Sequence, residues 1–296
     1  MLSLLRIHPY TKLSTLNLSY TLPFRSNLRA FTTKKDLTNT HINKTTNTVD
    51  IIKSDQGLTE FIKKTYLYTG GSITGTLLVS QCLSTIPINS FWPIFGGGAI
   101  LALGGVIGLS YSKYSVHTKR LPIGNKLTDY WYSKNTPSRL LSYGALIGGM
   151  SLTLTPFISM INDISPTILP TSCLLTSFIF GGSTLYAMFK PNGALLAWQA
   201  PLMGGLMGLV GVSMIGLLSH VFMGPTVFSS ALHSIDTYGG LLLFTAMTAY
   251  DTHKAVNMYQ AKDPDHLGCS VNLYLDFMNM LIRMMEILAK VNNNNK

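Results

Sequence analysis

The sequence predicts an all-α membrane protein with seven transmembrane helices. Charged residues make up 11% of the chain, against roughly 25% in ordinary soluble domains. Hydrophobic residues make up 47%, and the mean hydropathy is +0.29. Seven hydrophobic segments each come close to the roughly 20 residues that a helix needs to span a bilayer. The length of 296 residues would allow two soluble domains, but this composition excludes them.

Residues 1–35 have the composition of a mitochondrial transit peptide. They are rich in Arg, Lys, Ser and Thr, and the first acidic residue is Asp36. Arg29-Ala30-Phe31 resembles a cleavage site of the matrix protease. A disordered basic tail is the alternative. Six of the ten net positive charges belong to this leader, so the net charge does not predict nucleic-acid binding. The six are Arg6, Lys12, Arg25, Arg29, Lys34 and Lys35.

The rest of the chain divides into three regions. Residues 36–58 are rich in Thr and Asn and show no helical or strand period, and 36–64 are predicted to be a flexible linker with a possible interfacial helix. The end of this linker, at about 59–65, is a candidate interfacial helix. Residues 65–290 form the predicted membrane domain, and 291–296 a predicted disordered tail.

Glycines four residues apart recur in the hydrophobic segments. Such pairs let two helix backbones approach closely, and four of them predict a compact bundle. The pairs are Gly71/Gly75, Gly104/Gly108, Gly144/Gly148 and Gly204/Gly208. The predicted segments are 66–86, 91–112, 138–161, 167–189, 194–219, 235–250 and 271–289.

Lys and Arg alternate between the two sides of the predicted membrane domain. The loops after the second, fourth and sixth segments carry them, whereas 87–90, 162–166 and 220–234 carry none. By the positive-inside rule this alternation supports the count of seven and puts the chain before Tyr66 on the positive side. In the mitochondrial inner membrane the N-terminus would then lie in the matrix, and Lys296 in the intermembrane space.

The last hydrophobic segment carries its polar residues on one helical face. Their spacings of 4, 3, 4 and 3 residues follow the turn of an α-helix. Charged groups deep in a bilayer cost roughly 2.5–3.5 kcal/mol each, so this face should meet protein or a water-filled cavity. A soluble amphipathic helix at the edge of a core is the alternative. The polar residues are Asn272, Asp276, Asn279, Arg283 and Glu286.

Asp251 and Asp276 form the candidate ion-binding and pH-sensing pair. Asp251 follows the sixth segment, and Asp276 lies about six residues, or roughly 9 Å, into the seventh. A short loop joins these antiparallel helices, so both carboxylates should lie in the same half of the bundle. A proton, a cation or an Arg can each relieve the repulsion of such a pair, which titrates as a coupled unit. With Asn272, Asn279, helix carbonyls and water, the pair offers part of a weak Ca²⁺ shell.

Structural roles are the alternatives for these residues. Asp251 would then be a solvated helix end, and Asp276 a hydrogen-bonding residue. Arg283 either balances the carboxylates or pairs with Glu286 on the next turn. The sequence contains no zinc spacing, nucleophile elbow, phosphate loop or redox CxxC, so it predicts neither an enzyme nor a cofactor other than Ca²⁺ as a transported ion. Four histidines are interpreted as interfacial: His220, His233, His253 and His266.

Two motifs resemble the C-terminal signature of the transmembrane Bax inhibitor motif family. Residues 249–252 (AYDT) are similar to the end of the family's sixth helix, and 273–279 (LYLDFMN) to its seventh. The resemblance covers about 65–290 and is nearest to the family's mitochondrial branch. Three further stretches support it: 65–73 (TYLYTGGSI), 200–204 (APLMG) and 238–241 (YGGL).

The resemblance implies a fold in which six helices surround a central seventh. It also implies a pH-sensitive cation leak or Ca²⁺/H⁺ exchange that two aspartates govern, here Asp251 and Asp276. For the mitochondrial branch it implies an inner-membrane location, roles in cristae organisation and cytochrome c retention, and partners of those kinds besides the lipid bilayer.

The sequence departs from the family pattern at three places. His253 stands where the family has Gln, and Glu286 where a neutral or basic residue is expected. The second segment lacks the Arg that latches the aspartate pair in prokaryotic relatives. Lys113, at the end of that segment, is the candidate latch.

Two hypotheses of different classes follow. The first is an inner-membrane protein that mediates Ca²⁺/H⁺ exchange or leak through the aspartate pair. The second is an apoptosis-related scaffold for cristae and cytochrome c retention, in which the polar face serves only helix packing. Only the first predicts that substitution of either aspartate changes ion flux. An intramembrane aspartyl protease is less well supported, because the sequence has no GxGD motif.

Overall fold

The computed structural model describes residues 47–84, 91–123, 126–224 and 226–294, which are mostly helical. The predicted transit peptide and its cleavage site lie outside these residues. The helices of the described chain are α1 (Thr48–Ser54), α2 (Gln56–Ser84), α3 (Phe91–Tyr111), α4 (Pro137–Ile164), α5 (Ile168–Phe189), α6 (Gln199–Met223), α7 (Val227–Gln260) and α8 (His266–Asn294). They are joined by a 3-10 helix (Ala194–Trp198) and two strands, β1 (Tyr114–Ile123) and β2 (Lys126–Asn135).

The described part of the predicted linker is helical and docked. The Thr48 hydroxyl, at the start of α1, donates to the Lys190 carbonyl oxygen at 2.9 Å. Asp55 then accepts a hydrogen bond from the Gly57 backbone N–H at 2.8 Å, which caps the start of α2. The predicted interfacial helix at 59–65 is therefore part of α2. At the other end of the chain α8 runs to Asn294, so the predicted tail begins as helix.

A β-hairpin occupies the predicted loop between the second and third segments. β1 and β2 pair antiparallel, from Tyr114 opposite Asn135 to Ile123 opposite Lys126. The loop prediction rested on Lys and Arg content and overlooked the aromatic and β-branched residues that favour strands. The fold is thus helical with one hairpin, and β2 packs against α2.

The last helix, α8, forms the centre of the bundle. It packs against α2, α4, α5 and α7, whereas α3 packs mainly on α4, and α6 mainly on α7. The last helix is therefore central, as predicted, while α3 and α6 pack on the helices beside it. Fully buried side chains of α8 are Leu273, Tyr274, Met278, Met280, Leu281 and Met285.

Four helices of the described chain are long and apolar enough to cross a membrane, which makes this a multi-pass membrane protein. They correspond to α3, α4, α5 and the 3-10 helix with α6. The helices α2, α7 and α8 are as long or longer, at 29, 34 and 29 residues, but more polar. Within α2, the bundle buries five small hydroxyl side chains: Thr65, Thr69, Ser72, Thr76 and Ser80.

Glycines outside the predicted pairs bring α3 and α4 together. A Cβ atom added to Gly149 would lie 2.3 Å from the backbone nitrogen of Ala102, and one added to Gly105 would lie 2.5 Å from that of Leu146. The two backbones are therefore in contact, as in other small-residue helix pairs. Of the eight glycines in the predicted pairs, Gly108 alone would place a Cβ within 4 Å of another residue. Close helix packing through glycines is therefore confirmed, but the glycines that make the contact are, apart from Gly108, not those of the predicted pairs.

The cationic loops gather at one end of the bundle. Lys262, after α7, lies with its Nζ 5.4 Å from the ring centroid of Trp131 in β2. Asn192, after α5, donates from Nδ2 to Oε1 of Gln260 at 2.9 Å. We call this the hairpin end. At the opposite end, which we call the C-terminal end, Lys290 of α8 lines a cavity together with the first turns of α7.

Candidate functional site

The two candidate aspartates line one cavity between α6, α7 and α8, with a volume of about 350 Å³. We call it the carboxylate cavity. Four of the five residues of the predicted polar face open onto it, and Glu286 is the exception. The remaining lining is mostly apolar and comes from all three helices. The polar residues of this lining are Asp251, Asp276, Asn272, Asn279, Arg283 and Ser213.

Asp251 and Asp276 meet as the topology predicted. Their side chains are close enough to interact directly, and they are only 7% and 2% exposed. Thr248, one turn before Asp251, is also within reach of the Asp276 carboxyl group. The Oδ2 atom of Asp276 is buried without a hydrogen-bond partner among the described residues. An unpaired buried carboxylate oxygen is costly, so a proton, a water molecule or a cation would bind there.

The cation beside this pair is Lys254. Its Nζ lies 3.9 Å from Oδ1 of Asp251, one turn further along α7. Lys113, the predicted latch, is exposed after the end of α3, where its carbonyl oxygen accepts from the Thr136 hydroxyl at 3.1 Å. Because α3 packs mainly on α4, the structure does not bring Lys113 to the aspartates.

Arg283 forms its ion pair with Asp236 rather than with the aspartate pair or Glu286. Its Nη2 lies 3.3 Å from Oδ1 of Asp236, and its Nε donates to the Asp236 carbonyl oxygen at 3.2 Å. Its Nη1 donates to the Asn279 carbonyl oxygen at 3.3 Å. Glu286 instead accepts from the Thr237 hydroxyl at 2.9 Å. Asp236 was not among the predicted site residues, although an acidic residue in an apolar segment is itself a signal for a buried cationic partner.

A second polar cluster lies at the hairpin end. Nη2 of Arg139 lies 2.5 Å from Oδ2 of Asp265, and both side chains are buried. The same guanidinium lies 4.3 Å from the ring centroid of Tyr114, whose hydroxyl donates to Asp263. His266 contacts a hydroxyl group of β2 through Nδ1 at 2.8 Å. These contacts fasten the hairpin to the connection between α7 and α8.

Burial controls the titration of the neutral groups in this cluster. It lowers the pKa of the His266 ring, although the nearby Asp265 carboxylate opposes that change. It raises the pKa of the Tyr114 hydroxyl, and the hydrogen bond to Asp263 raises it further. Both groups are therefore held neutral at physiological pH.

Two of the four histidines are structural rather than interfacial. His253 is fully buried, and its Nε2 lies 2.6 Å from the Ala187 carbonyl oxygen and 3.2 Å from the Thr48 hydroxyl. It thereby ties α1 and α5 to the end of α7, and His266 ties α8 to the hairpin. His233 lines a cavity at the C-terminal end, and the side chain of His220 lies outside the described ones.

Comparison with known proteins finds one family and several relatives. The family model described as "Inhibitor of apoptosis-promoting Bax1" matches residues 58–294. Growth hormone-inducible transmembrane protein from Rattus norvegicus is 28% identical over 242 residues, which are 79% of this chain and 64% of the rat protein. Bax inhibitor 1 from Bos taurus is 30% identical over 150 residues, 49% of this chain and 60% of the bovine protein. Probable Bax inhibitor 1 from Paralichthys olivaceus is 32% identical over 136 residues, 46% and 54% of the two chains. The chain thus spans less than two thirds of the length of each of these relatives.

The fold and the site define a multi-pass helical membrane protein with paired carboxyl groups in a cavity of its bundle. The family match covers most of the chain, and the chain belongs to the family of inhibitors of apoptosis-promoting Bax1. The resemblance that the motifs at 249–252 and 273–279 indicated is confirmed, including its likeness to a growth hormone-inducible transmembrane protein.

Proposed function

We propose that this protein mediates pH-sensitive Ca²⁺/H⁺ exchange, or a pH-controlled cation leak, through the Asp251–Asp276 pair. The observation that carries this proposal is the carboxylate cavity, where two adjacent carboxyl groups and two side-chain amides share one space inside the bundle. A proton and a cation compete for the same carboxylate oxygens. Binding of one therefore releases the other, which is the elementary step of an exchanger.

The donor set suits a weakly held Ca²⁺ ion. Calcium takes six to eight oxygen ligands, and the cavity offers carboxylates, the amides of Asn272 and Asn279, and room for water. Among the described residues no three His, Cys, Asp or Glu side chains converge on one point. Two carboxylates alone favour brief binding, as transport requires.

Lys254 serves in this proposal as the internal counter-ion of the pair. Its ammonium group lies 3.9 Å from Asp251, and its side chain is 32% exposed. A partly exposed lysine on a flexible stem can leave without a large rearrangement when Ca²⁺ enters. Lys254 thus takes the role that was predicted for Lys113.

In the proposed topology all seven long helices span the inner mitochondrial membrane, with the hairpin end in the matrix. The cationic loops at that end support this orientation through the positive-inside rule. The mitochondrial location rests on the composition of residues 1–35 and on the resemblance to the mitochondrial branch. The C-terminus would lie in the intermembrane space.

Ion flux through the full-length protein in liposomes tests the proposal. Ca²⁺ flux would be measured against an imposed pH gradient for the wild type, Asp251→Asn and Asp276→Asn. Both substitutions should change the flux and its response to pH, because each removes a carboxylate from the pair. Asp163→Asn, which alters an exposed acidic residue at the end of α4, is the matched control and should behave as wild type.

The scaffold hypothesis makes the opposite prediction for the same variants. Flux that is absent, or that is indifferent to both aspartate substitutions in properly inserted protein, would overturn the transport proposal. It would favour a role in cristae organisation and cytochrome c retention, with the polar face of α8 acting in helix packing.

A further inference from the structure

Arg283 and Asp236 stand between the carboxylate cavity and a second, larger cavity. The second cavity, of about 480 Å³, lies between α6 and the first turns of α7, and we call it the outer cavity. Asp236 lines the outer cavity and Arg283 the carboxylate cavity, while Ser213 borders both. Both cavities therefore end at one ion pair. Ser230 and His233 line both the outer cavity and the cavity beside Lys290, so the outer cavity lies towards the C-terminal end.

The guanidinium group at this boundary is held on several sides. Asp236 and Asn279 accept its hydrogen bonds, at 3.2 to 3.4 Å. A Cβ atom added to Gly240 would lie 1.8 Å from Nε of Arg283, so the group rests directly on the backbone of α7. Its other neighbour is the ring of Phe244, with 5.0 Å from Cζ to the ring centroid. The Arg283 side chain is only 11% exposed.

Arg283 determines whether this boundary attracts cations. An arginine side chain stays protonated in proteins, so the guanidinium neutralises Asp236 and keeps that carboxylate from attracting cations. Asp236 accepts a further hydrogen bond from the Ser213 hydroxyl at 2.8 Å, and Glu286 lies one turn beyond Arg283. Without the guanidinium, the same place would hold two carboxylates and would attract cations.

We propose that Arg283, held by Asp236 and Asn279, is the cation barrier between the carboxylate cavity and the outer cavity. A cation that crosses must displace the guanidinium from Asp236, whose carboxylate then becomes the next ligand on the path. This inference rests on the proposed function in one respect, which is that a cation enters the carboxylate cavity.

Flux measurements with the full-length protein in liposomes form the first test. Arg283→Gln removes the charge but keeps hydrogen-bonding groups, and it should raise the Ca²⁺ leak by roughly tenfold or more. Arg283→Lys keeps the charge and should leak less than Arg283→Gln. Lys290→Gln removes an exposed positive charge two turns further along α8 and should not raise the leak.

Cysteine accessibility forms a second test that does not depend on transport. Leu209→Cys would place a thiol in the carboxylate cavity, in a background without Cys82, Cys173 and Cys269. A cationic, membrane-impermeant thiol reagent would be added outside the liposomes. A protease added outside removes a C-terminal tag only from molecules whose C-terminal end, and therefore whose outer cavity, faces the reagent. Loss of the tag thus identifies the molecules in this orientation. In these molecules the thiol at position 209 should be protected from the reagent when Arg283 is present. It should be labelled when Leu209→Cys is combined with Arg283→Gln.

The two tests separate failure of the barrier from failure of the transport site. Unchanged labelling and unchanged leak in Arg283→Gln would overturn the barrier, whatever the aspartate variants do. Equal leaks in Arg283→Lys and Arg283→Gln would also overturn it, because a packing role does not distinguish charge. Labelling that depends on Arg283, with flux indifferent to Asp251 and Asp276, would support the barrier and reject the aspartate mechanism.

Discussion

Arg139 is a deeply buried cation at the hairpin end, and its partner Asp265 is almost as inaccessible. The side chains of Arg139 and Asp265 are 4% and 11% exposed. Oδ1 of Asp265 also accepts from the backbone N–H of Gly268 at 3.0 Å, which caps the start of α8. Desolvation of such a pair offsets much of its attraction, but loss of one partner leaves a buried charge.

Removal of Arg139 alone should therefore destabilise the protein strongly. We expect Arg139→Met to lower the free energy of unfolding by about 3–5 kcal/mol, because Asp265 would remain charged and buried. Denaturant unfolding in detergent micelles would measure the loss. The double variant Arg139→Met, Asp265→Asn removes the stranded charge while keeping an N-cap side chain, and it should recover most of the stability.

Lys134→Met is the control for this prediction. Lys134 is an exposed residue of β2, and a surface substitution of this kind usually changes stability by less than about 0.5 kcal/mol. A loss in Arg139→Met no larger than in Lys134→Met would show that the ion pair does not form in the membrane protein.

The helices α3 and α4 are in close backbone contact. Gly149 occupies the centre of that contact, where an added Cβ would meet backbone atoms of Ala102 and Gly98 at 2.3 to 2.7 Å. Backbone atoms cannot rotate away as a flexible side chain does, so the two helices would have to separate. The neighbouring Gly148 faces open space, with nothing within 4 Å of an added Cβ.

Gly149→Ala should therefore destabilise the protein, and Gly148→Ala should not. Overpacking typically costs about 1–3 kcal/mol, whereas alanine in place of an unconstrained helical glycine gains up to about 1 kcal/mol. Parallel unfolding curves of the two variants in detergent micelles would measure the difference. Equal stabilities would mean that α3 and α4 are not in backbone contact in solution.

These elements also show what a sequence can and cannot predict. The spacing of polar residues fixed which side chains of α8 share a face, and the short connection to α7 put Asp251 and Asp276 at the same depth. Both deductions needed only helical geometry. The resemblance to the Bax inhibitor motif family rested on the same residues and gave the central position of the last helix.

The remaining features depend on tertiary contacts that spacing does not determine. The partner of Arg283 is Asp236, 47 residues earlier, and only the register of α7 against α8 selects it over Glu286. The predicted glycine pairs failed for the same reason, since a spacing of four defines a face but not its neighbour. The hairpin was missed because its cationic residues resembled those of a loop.

At the scale of the whole molecule, the course of α7 determines how many times the chain crosses the membrane. Its 34 residues extend over roughly 51 Å, well beyond a hydrocarbon core of about 30 Å. It begins beside Lys290 at the C-terminal end, and the connection that follows it contacts the hairpin through Lys262 and Asp263. If α3 to α6 cross the membrane, as their hydropathy indicates, α7 must cross as well to return to the hairpin.

Single-cysteine reporters should therefore find the two ends of the protein on opposite sides. In a background without the native cysteines, Lys134→Cys reports on the hairpin, Ala261→Cys on the connection after α7, and Val291→Cys on the end of α8. In mitochondria stripped of the outer membrane, an impermeant thiol reagent should label position 291 and should reach 134 and 261 only after detergent is added. With only four spans, position 261 would be labelled together with 291, because α7 and α8 would both remain on the side where α6 ends. Labelling of 134 before detergent would instead invert the orientation and place the cationic loops in the intermembrane space, against the positive-inside rule.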